Sequence, residues 1–304
     1  MQATPLAPVE CFPIAGESPP IAPSAEMASI VCSFLPRCFF ADEEKAPSDI
    51  IETLPTVPAL GLELPLSLKL HMFDTCPFCA RSTLVLGWLN VPYERVLYGF
   101  GEGASAAEKG YNPTGGPILL TGKKKLPVLE GQGVPCPQGM RGLPESMEIC
   151  SYIGACTGRL PPATLREDLA DWLKRFTPAM HKLCRPRLKQ MPVKDFADKR
   201  DVEFYVEKFT KAGFDFSGVE AATPALRDEM APLLAELDTL LRGRTAEGVP
   251  CLNAWGLGID DAMVVPFLRN LTAVKHLVWP PLTKEYLEKS AAKAGVKLFT
   301  AYAC

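Results

Sequence analysis

The chain has 304 residues, enough for two domains with cores of their own, and 47% of them are hydrophobic. A net charge of −3 leaves no electrostatic footprint for nucleic acid or an anionic membrane. Eleven cysteines at irregular spacing, in a chain too long for a small disulfide scaffold, read mainly as buried small hydrophobes in a reducing compartment.

Residues 1–65 hold eleven of the 30 prolines and no helical or strand period, which predicts a mobile, partly polyproline extension. A cleaved targeting segment of unusual chemistry is the alternative. The apolar run from Ile30 to Phe40 is broken by Ser33, Pro36 and Arg37 and falls short of a membrane span. The first basic residue is Arg37, after Glu10, Glu17 and Glu26, so neither a signal peptide nor an Arg-rich transit peptide fits. The expected setting is intracellular and soluble, the cytosol by default, with organelle targeting by the extension left open. No membrane partner is expected.

Order begins at Leu66. "LSLKLHMF" alternates as a strand does, "CPFC" follows at Cys76–Cys79, and "ARSTLVLGWLN" predicts a helix ending near Asn90. "VPYERVLY" predicts a second strand, and Gly99 to Pro117 a Gly-rich loop with one helical turn. "KLPVLEG" predicts a third strand and "PESMEICSYIGA" a helix. This order describes a compact α/β domain over residues 66–157. Beyond it, "TLREDLADWLKRF" opens with a capping box, Thr164 to Glu167. "TPALRDEMAPLLAELDTLLRG" has Thr223 as cap, Pro224 at the first position and Gly243 as stop. "DDAMVVPFLRNLTAVKHL" is apolar on nearly every side, predicting a central buried helix bent near Pro266. Residues 164–304 are therefore expected to form an all-α domain.

The cysteine pair carries the chemistry. Cys76 ends a strand and Cys79 sits one helical turn later, where free amides and the helix dipole favour a thiolate. Such settings lower a cysteine pKa from about 8.5 to roughly 3.5–7.5. Cys76 would attack and Cys79, on the same face, would resolve. Zinc requires four ligands, and His71, His181 and His276 are scattered, so no metal is expected. An iron–sulfur cluster shared between subunits and buried chance cysteines are the remaining alternatives. Pro127 starts a strand, and a cis bond there would aim the Leu126 backbone at the neighbourhood of Cys76. Glu145 and Ser146 open a helix, as an ordinary cap or as a receiver of carboxylates. Lys123, Lys124 and Lys125 read as solvated, with one available to a second carboxylate.

Together, "CPFC", "LPVL" about fifty residues on, "LPESMEI", "DWLKRF" with "LCRPRL" and the late "FLRNLTAVKHLVWP" resemble the glutathione-transferase superfamily. Within it the pattern is similar to the bacterial glutaredoxin 2 family, a glutaredoxin built like a glutathione transferase. The resemblance covers Leu66 to Cys304. It implies a thioredoxin-like domain followed by a helical one, with glutathione as reductant and cosubstrate. Glutathionylated or disulfide-containing proteins are the implied partners of a monomeric enzyme. It casts Cys76 as nucleophile and Cys79 as resolving thiol. Leu126 and Pro127 become the backbone clamp on the cysteinyl part of glutathione, and Glu145 and Ser146 the ligands of its γ-glutamyl end. Phe78 joins that site in place of the family's usual tyrosine. Departures are the extension before Leu66, the long segment Gly99–Pro117, and Gly258 where a capping serine is expected, which leaves the cap to Asp260 or Asp261. Two rival readings share the fold: a conjugating glutathione transferase, which usually needs a hydroxyl for glutathione's thiolate, and a redox-switched interaction protein of the chloride-intracellular-channel type.

Overall fold

The computed structural model of the chain describes residues 64–65 and 67–304. The expectation for the proline-rich extension lies outside the described residues. Strand β1 (Leu68–Met72) buries Leu68, Leu70 and Met72 and exposes Lys69. It pairs in parallel with β2 (Glu94–Leu97) and antiparallel with β3 (Val128–Gly131), which pairs with β4 (Leu143–Pro144). The mixed sheet has the order β2-β1-β3-β4. The sequence signals for β1 to β3 held, while the two-residue β4 carries too little pattern to be read.

Helix α1 (Pro77–Trp88) is buried on almost every side, between the sheet and later helices. Gly87 permits that packing: a Cβ there would stand 2.3 Å from the Ala294 carbonyl oxygen. The segment from Gly99 to Pro117 contains one turn of 3-10 helix, Ala107–Lys109, and leads into a short helix, α2 (Ile118–Thr121). It is tied to the helical half through buried Asp201, which accepts from the Gly101 amide (2.6 Å) and the Tyr111 hydroxyl (2.9 Å). Helix α3 (Ser146–Thr157) completes the α/β part.

The helical part comprises α4 (Glu167–Leu188), α5 (Lys199–Lys211), α6 (Phe216–Ala221), α7 (Thr223–Leu240), α8 (Ile259–Leu271) and α9 (Pro281–Lys293). As expected, α8 is buried nearly all round and contains Pro266. Three expectations about helix ends need correction. Thr164 makes no capping box: helix α4 starts at Glu167, and the Thr164 hydroxyl donates instead to Asp260 at 2.6 Å. Thr223 lies inside α7 and bonds the Val219 carbonyl rather than capping. Helix α7 also stops at Leu240, before Gly243, which begins a two-residue strand, β5 (Gly243–Arg244), paired with β6 (Pro250–Cys251). The substitute cap at Gly258 is Asp261, whose carboxylate accepts the Gly258 amide at 2.8 Å. Among the described residues, no helix is long and apolar enough to cross a membrane.

Candidate active site

Strand β1 runs through Phe73, Asp74 and Thr75 to Cys76, the N-cap of α1, in extended conformation (φ −74°, ψ 120°). Pro77 follows at the first helical position, where a missing N–H has no partner to lose. The Cys79 thiol, then the amides of Cys79 and Phe78, hold the Cys76 thiol below its ordinary value against the opposing effect of burial. Cys79 is fully buried behind it and accepts the Phe73 amide at 3.4 Å. Burial, then its neighbour Cys76, pushes the Cys79 thiol well above its usual range. One sulfur is thus poised to ionise, and the other stays protonated and can donate to it. Both are free thiols.

The two residues before the nucleophile are held from the helical part. Asp195, in the 3-10 turn Lys194–Phe196, accepts the Asp74 amide (2.8 Å), the Thr75 amide (2.8 Å) and the Thr75 hydroxyl (2.6 Å). From α8, Arg269 donates to the Asp74 carbonyl at 2.6 Å and Asn270 to the Thr75 carbonyl at 3.0 Å. All four main-chain polar groups of Asp74–Thr75 therefore end on side chains of the other half. Asp195 has no exposure, and burial raises its carboxyl pKa despite the three donors.

The facing wall is built within the α/β part. The Leu126–Pro127 bond is cis and delivers Pro127, buried, just before β3. Glu145 takes a positive φ (70°) at the N-cap of α3, a conformation that costs a non-glycine residue about 1–3 kcal/mol. Its carboxylate is exposed, 3.8 Å from the Lys125 ammonium. Ser146 is buried at the first position of α3, whose first-turn amides have no helical partner. Lys124, expected in solvent, is half-buried instead: it donates to the Phe100 carbonyl, and its Nζ lies 4.9 Å from the Phe73 ring and 5.0 Å from that of Phe100. The aromatic faces attract the ammonium and the apolar surroundings strip it of water.

Cys76, Phe78, Leu126, Pro127, Glu145 and Ser146 line one cleft of about 510 Å³, within the range of small-ligand sites. Cys79 lies behind Cys76 and is not in the lining. Phe78 is 47% exposed, with its ring edge-on to Phe267 of α8. Met180, Leu188 and Tyr205 of the helical part close the other side. Among the described residues no group of three or more His, Cys, Asp or Glu is placed to hold a metal ion.

Residues 75–156 match the family model "Glutathione S-transferase, N-terminal domain", and residues 168–303 match "Glutaredoxin 2, C terminal domain". The C-terminal part of the chain thus carries a glutaredoxin 2 domain and the part before it a glutathione-transferase N-terminal domain. Glutaredoxin 2 of Escherichia coli strain K12 is 26% identical over 239 residues, covering 78% of this chain and all of the relative. The crystal structure of glutaredoxin 2 from Salmonella typhimurium in complex with glutathione superposes with a TM-score of 0.67 at 24% identity, covering 78% of this chain and 99% of that one. This likeness shows the glutathione-transferase-like fold, a mixed sheet with helices followed by a helical domain.

The sequence motifs point at the cysteine pair and at the turns Leu126–Pro127 and Glu145–Ser146, but not at Asp195, Arg269 or Asn270. "FLRN" was singled out only as a mark of the helical domain, and its Arg269 and Asn270 turn out to reach the cysteine loop. "VKDF" gave no signal: nothing local says that Asp195 meets an amide 120 residues away.

Proposed function

We propose that the chain is a glutathione-dependent thiol–disulfide oxidoreductase of the glutaredoxin type, with residues 66–157 and 164–304 as its two domains. The observation that carries this reading is the Cys76 thiol, lowered at a helix start in one cleft with Leu126–Pro127 and Ser146, with the raised Cys79 thiol buried directly behind it. The Cys76 thiolate attacks the glutathionyl sulfur of a mixed disulfide. A bond forms between the two sulfurs, the bond to the substrate sulfur breaks, and the substrate leaves as a thiolate. A second glutathione thiolate then takes the glutathionyl group from Cys76, giving glutathione disulfide and restoring the enzyme. The net reaction turns one mixed disulfide and one glutathione into the substrate thiol and glutathione disulfide. With a protein disulfide, Cys79 gives up its proton, attacks the mixed disulfide on Cys76 and closes an internal disulfide, which glutathione reduces.

In this reading Ser146 and the first amides of α3 receive the γ-glutamyl carboxylate. Glu145 faces the ammonium group beside it, the Leu126 backbone aligns the cysteinyl part, and Phe78 covers the sulfur. The match of residues 168–303 to the glutaredoxin 2 C-terminal domain and the glutathione bound to the Salmonella relative support the assignment of glutathione as cosubstrate. The test is glutathione-driven reduction of hydroxyethyl disulfide, run beside conjugation of glutathione to chlorodinitrobenzene. Reduction without comparable conjugation is expected, and the converse would replace this reading with that of a transferase.

A further inference from the structure

The protein carries a net charge of −3, yet the rim of its cleft is positive. Lys124, Lys125, Arg185 and Lys208 line the cleft against a single acid, Glu145, and Glu145 is already beside Lys125. A second groove of about 610 Å³, mostly apolar, continues along α4 past Phe214 and Met263 of α8. Lys174 and Lys182 rim it, no acidic residue lines it, and Arg185 lines both spaces. His181, shared as well, is neutral: burial, then Arg185, pushes its pKa down to about 4.

Arg185 is the telling residue. Its guanidinium lies over two aromatic rings, 4.3 Å from the Phe209 centroid and 5.0 Å from that of Phe214. Among the described residues it has neither a carboxylate within 4 Å nor an acceptor for its N–H groups, although it is half-buried. A guanidinium fixed in place with a free fork of donors matches a carboxylate. Lys208 stands on the same aromatic cluster, 5.3 Å from Phe100 and 5.8 Å from Phe209. It also adds to the burial that lowers Lys124 to about 8. Lys124 feels the Asp201 and Glu102 carboxylates and Lys125 has Glu145, but Arg185 and Lys208 have no carboxylate within 4 Å among the described residues, and such a cationic wall favours an anionic visitor.

Resting on the glutaredoxin reading, we infer that this helical-domain wall is an acidic-peptide site: Arg185, Lys208 and Lys182 receive the carboxylates that flank a glutathionylated cysteine, and the second groove takes its apolar neighbours. The direction follows from the exchange step. With glutathione held along Leu126–Pro127 and Ser146, the leaving cysteine and its polypeptide have only the opposite wall to lie on. As Cys76 bonds the glutathionyl sulfur, the peptide departs as a thiolate past Arg185.

The experiment compares glutathione-driven reduction of two glutathionylated peptides of equal length, one flanked by Asp and Glu, the other by Ser and Gly. The mixed disulfide of glutathione with mercaptoethanol is the control. The acidic peptide should have the higher kcat/KM at low salt, by about tenfold, with the gap closing as salt screens the charges. Arg185→Ala and Lys208→Ala should each shrink the gap while leaving the control and the Michaelis constant for glutathione unchanged. Equal kcat/KM for the two peptides would overturn the acidic-peptide site and leave the glutaredoxin reading standing. So would a raised Michaelis constant for glutathione in Arg185→Ala, because the cation would then serve glutathione itself. Wild-type protein inactive on the control would overturn both.

Discussion

Two helices begin in the same cleft, and they are built differently. The start of α3 is local: Glu145 and Ser146 follow directly on β4, and the turn takes its shape from one strained residue at φ 70°. The start of α1 is local in its thiols but not in its support. The residues leading into Cys76 are fixed by Asp195, Arg269 and Asn270, from segments 120 and 195 residues away. In the proposed reading the start of α3 receives a ligand, which supplies the missing partner, so one turn suffices. A site that must hold its own charged sulfur in place is braced from outside.

The sharpest test of the contrast is at the thiol. Cys76→Ser should abolish disulfide reduction in a hydroxyethyl-disulfide assay, because the other thiol of this helix start, Cys79, is buried with its pKa raised. Residual turnover by that variant would move the nucleophile elsewhere.

Asp195→Ala tests the bracing. It leaves two amides and a hydroxyl without their acceptor, at about 1–3 kcal/mol for each group that stays buried, so a large fall in melting temperature and in kcat is expected. Asp195→Asn separates charge from support. The Asp195 charge acts to raise the Cys76 pKa. Removing it should therefore lower the pH midpoint of iodoacetamide alkylation at Cys76 even as kcat declines through the lost hydrogen bond. A midpoint that rises instead would mean that holding the loop matters more to the thiolate than the nearby charge.

Ser146→Ala tests the unbraced helix start. Losing a hydrogen bond to a carboxylate costs about 1.5–3 kcal/mol, so the Michaelis constant for glutathione should rise roughly ten- to a hundredfold. The alkylation midpoint of Cys76 should stay where it is, because that thiolate depends on the other helix. A shift in both would show that the two starts are coupled.

The smallest effect is expected from Cys79→Ser on glutathione mixed disulfides, which need only Cys76, while reduction of protein disulfides should be lost. Since the Cys79 thiol contributes most to lowering Cys76, Cys79→Ala should also raise the alkylation midpoint.

These differences explain what could be read from the residues alone. "CPFC", "LP" and "ES" each place their chemistry within a few residues of a strand end or helix start, so short-range rules for caps and strand alternation reach them. The strands β1 to β3 and the buried α8 were legible for the same reason. Thr164 shows the limit: its sequence context fits a capping box, yet Asp260, nearly a hundred residues on, offers its hydroxyl a buried carboxylate and the helix starts three residues later. Lys124 looked solvated beside two other lysines because nothing nearby in sequence announces the rings of Phe73 and Phe100. Asp195 was invisible because its meaning lies wholly in amides of the other half.

That clamp also makes the two halves answer to each other. Since every main-chain polar group of Asp74–Thr75 ends on the helical part, any displacement of this dipeptide when the thiols are oxidised must be met by movement at the interface. If the pair cycles between dithiol and disulfide as proposed, reciprocity runs backwards as well: to the extent that oxidation weakens docking of the helical part, weakened docking favours oxidation by the same coupling free energy. In the proposed reaction the redox balance of the pair is in this sense coupled to how firmly the two halves hold together.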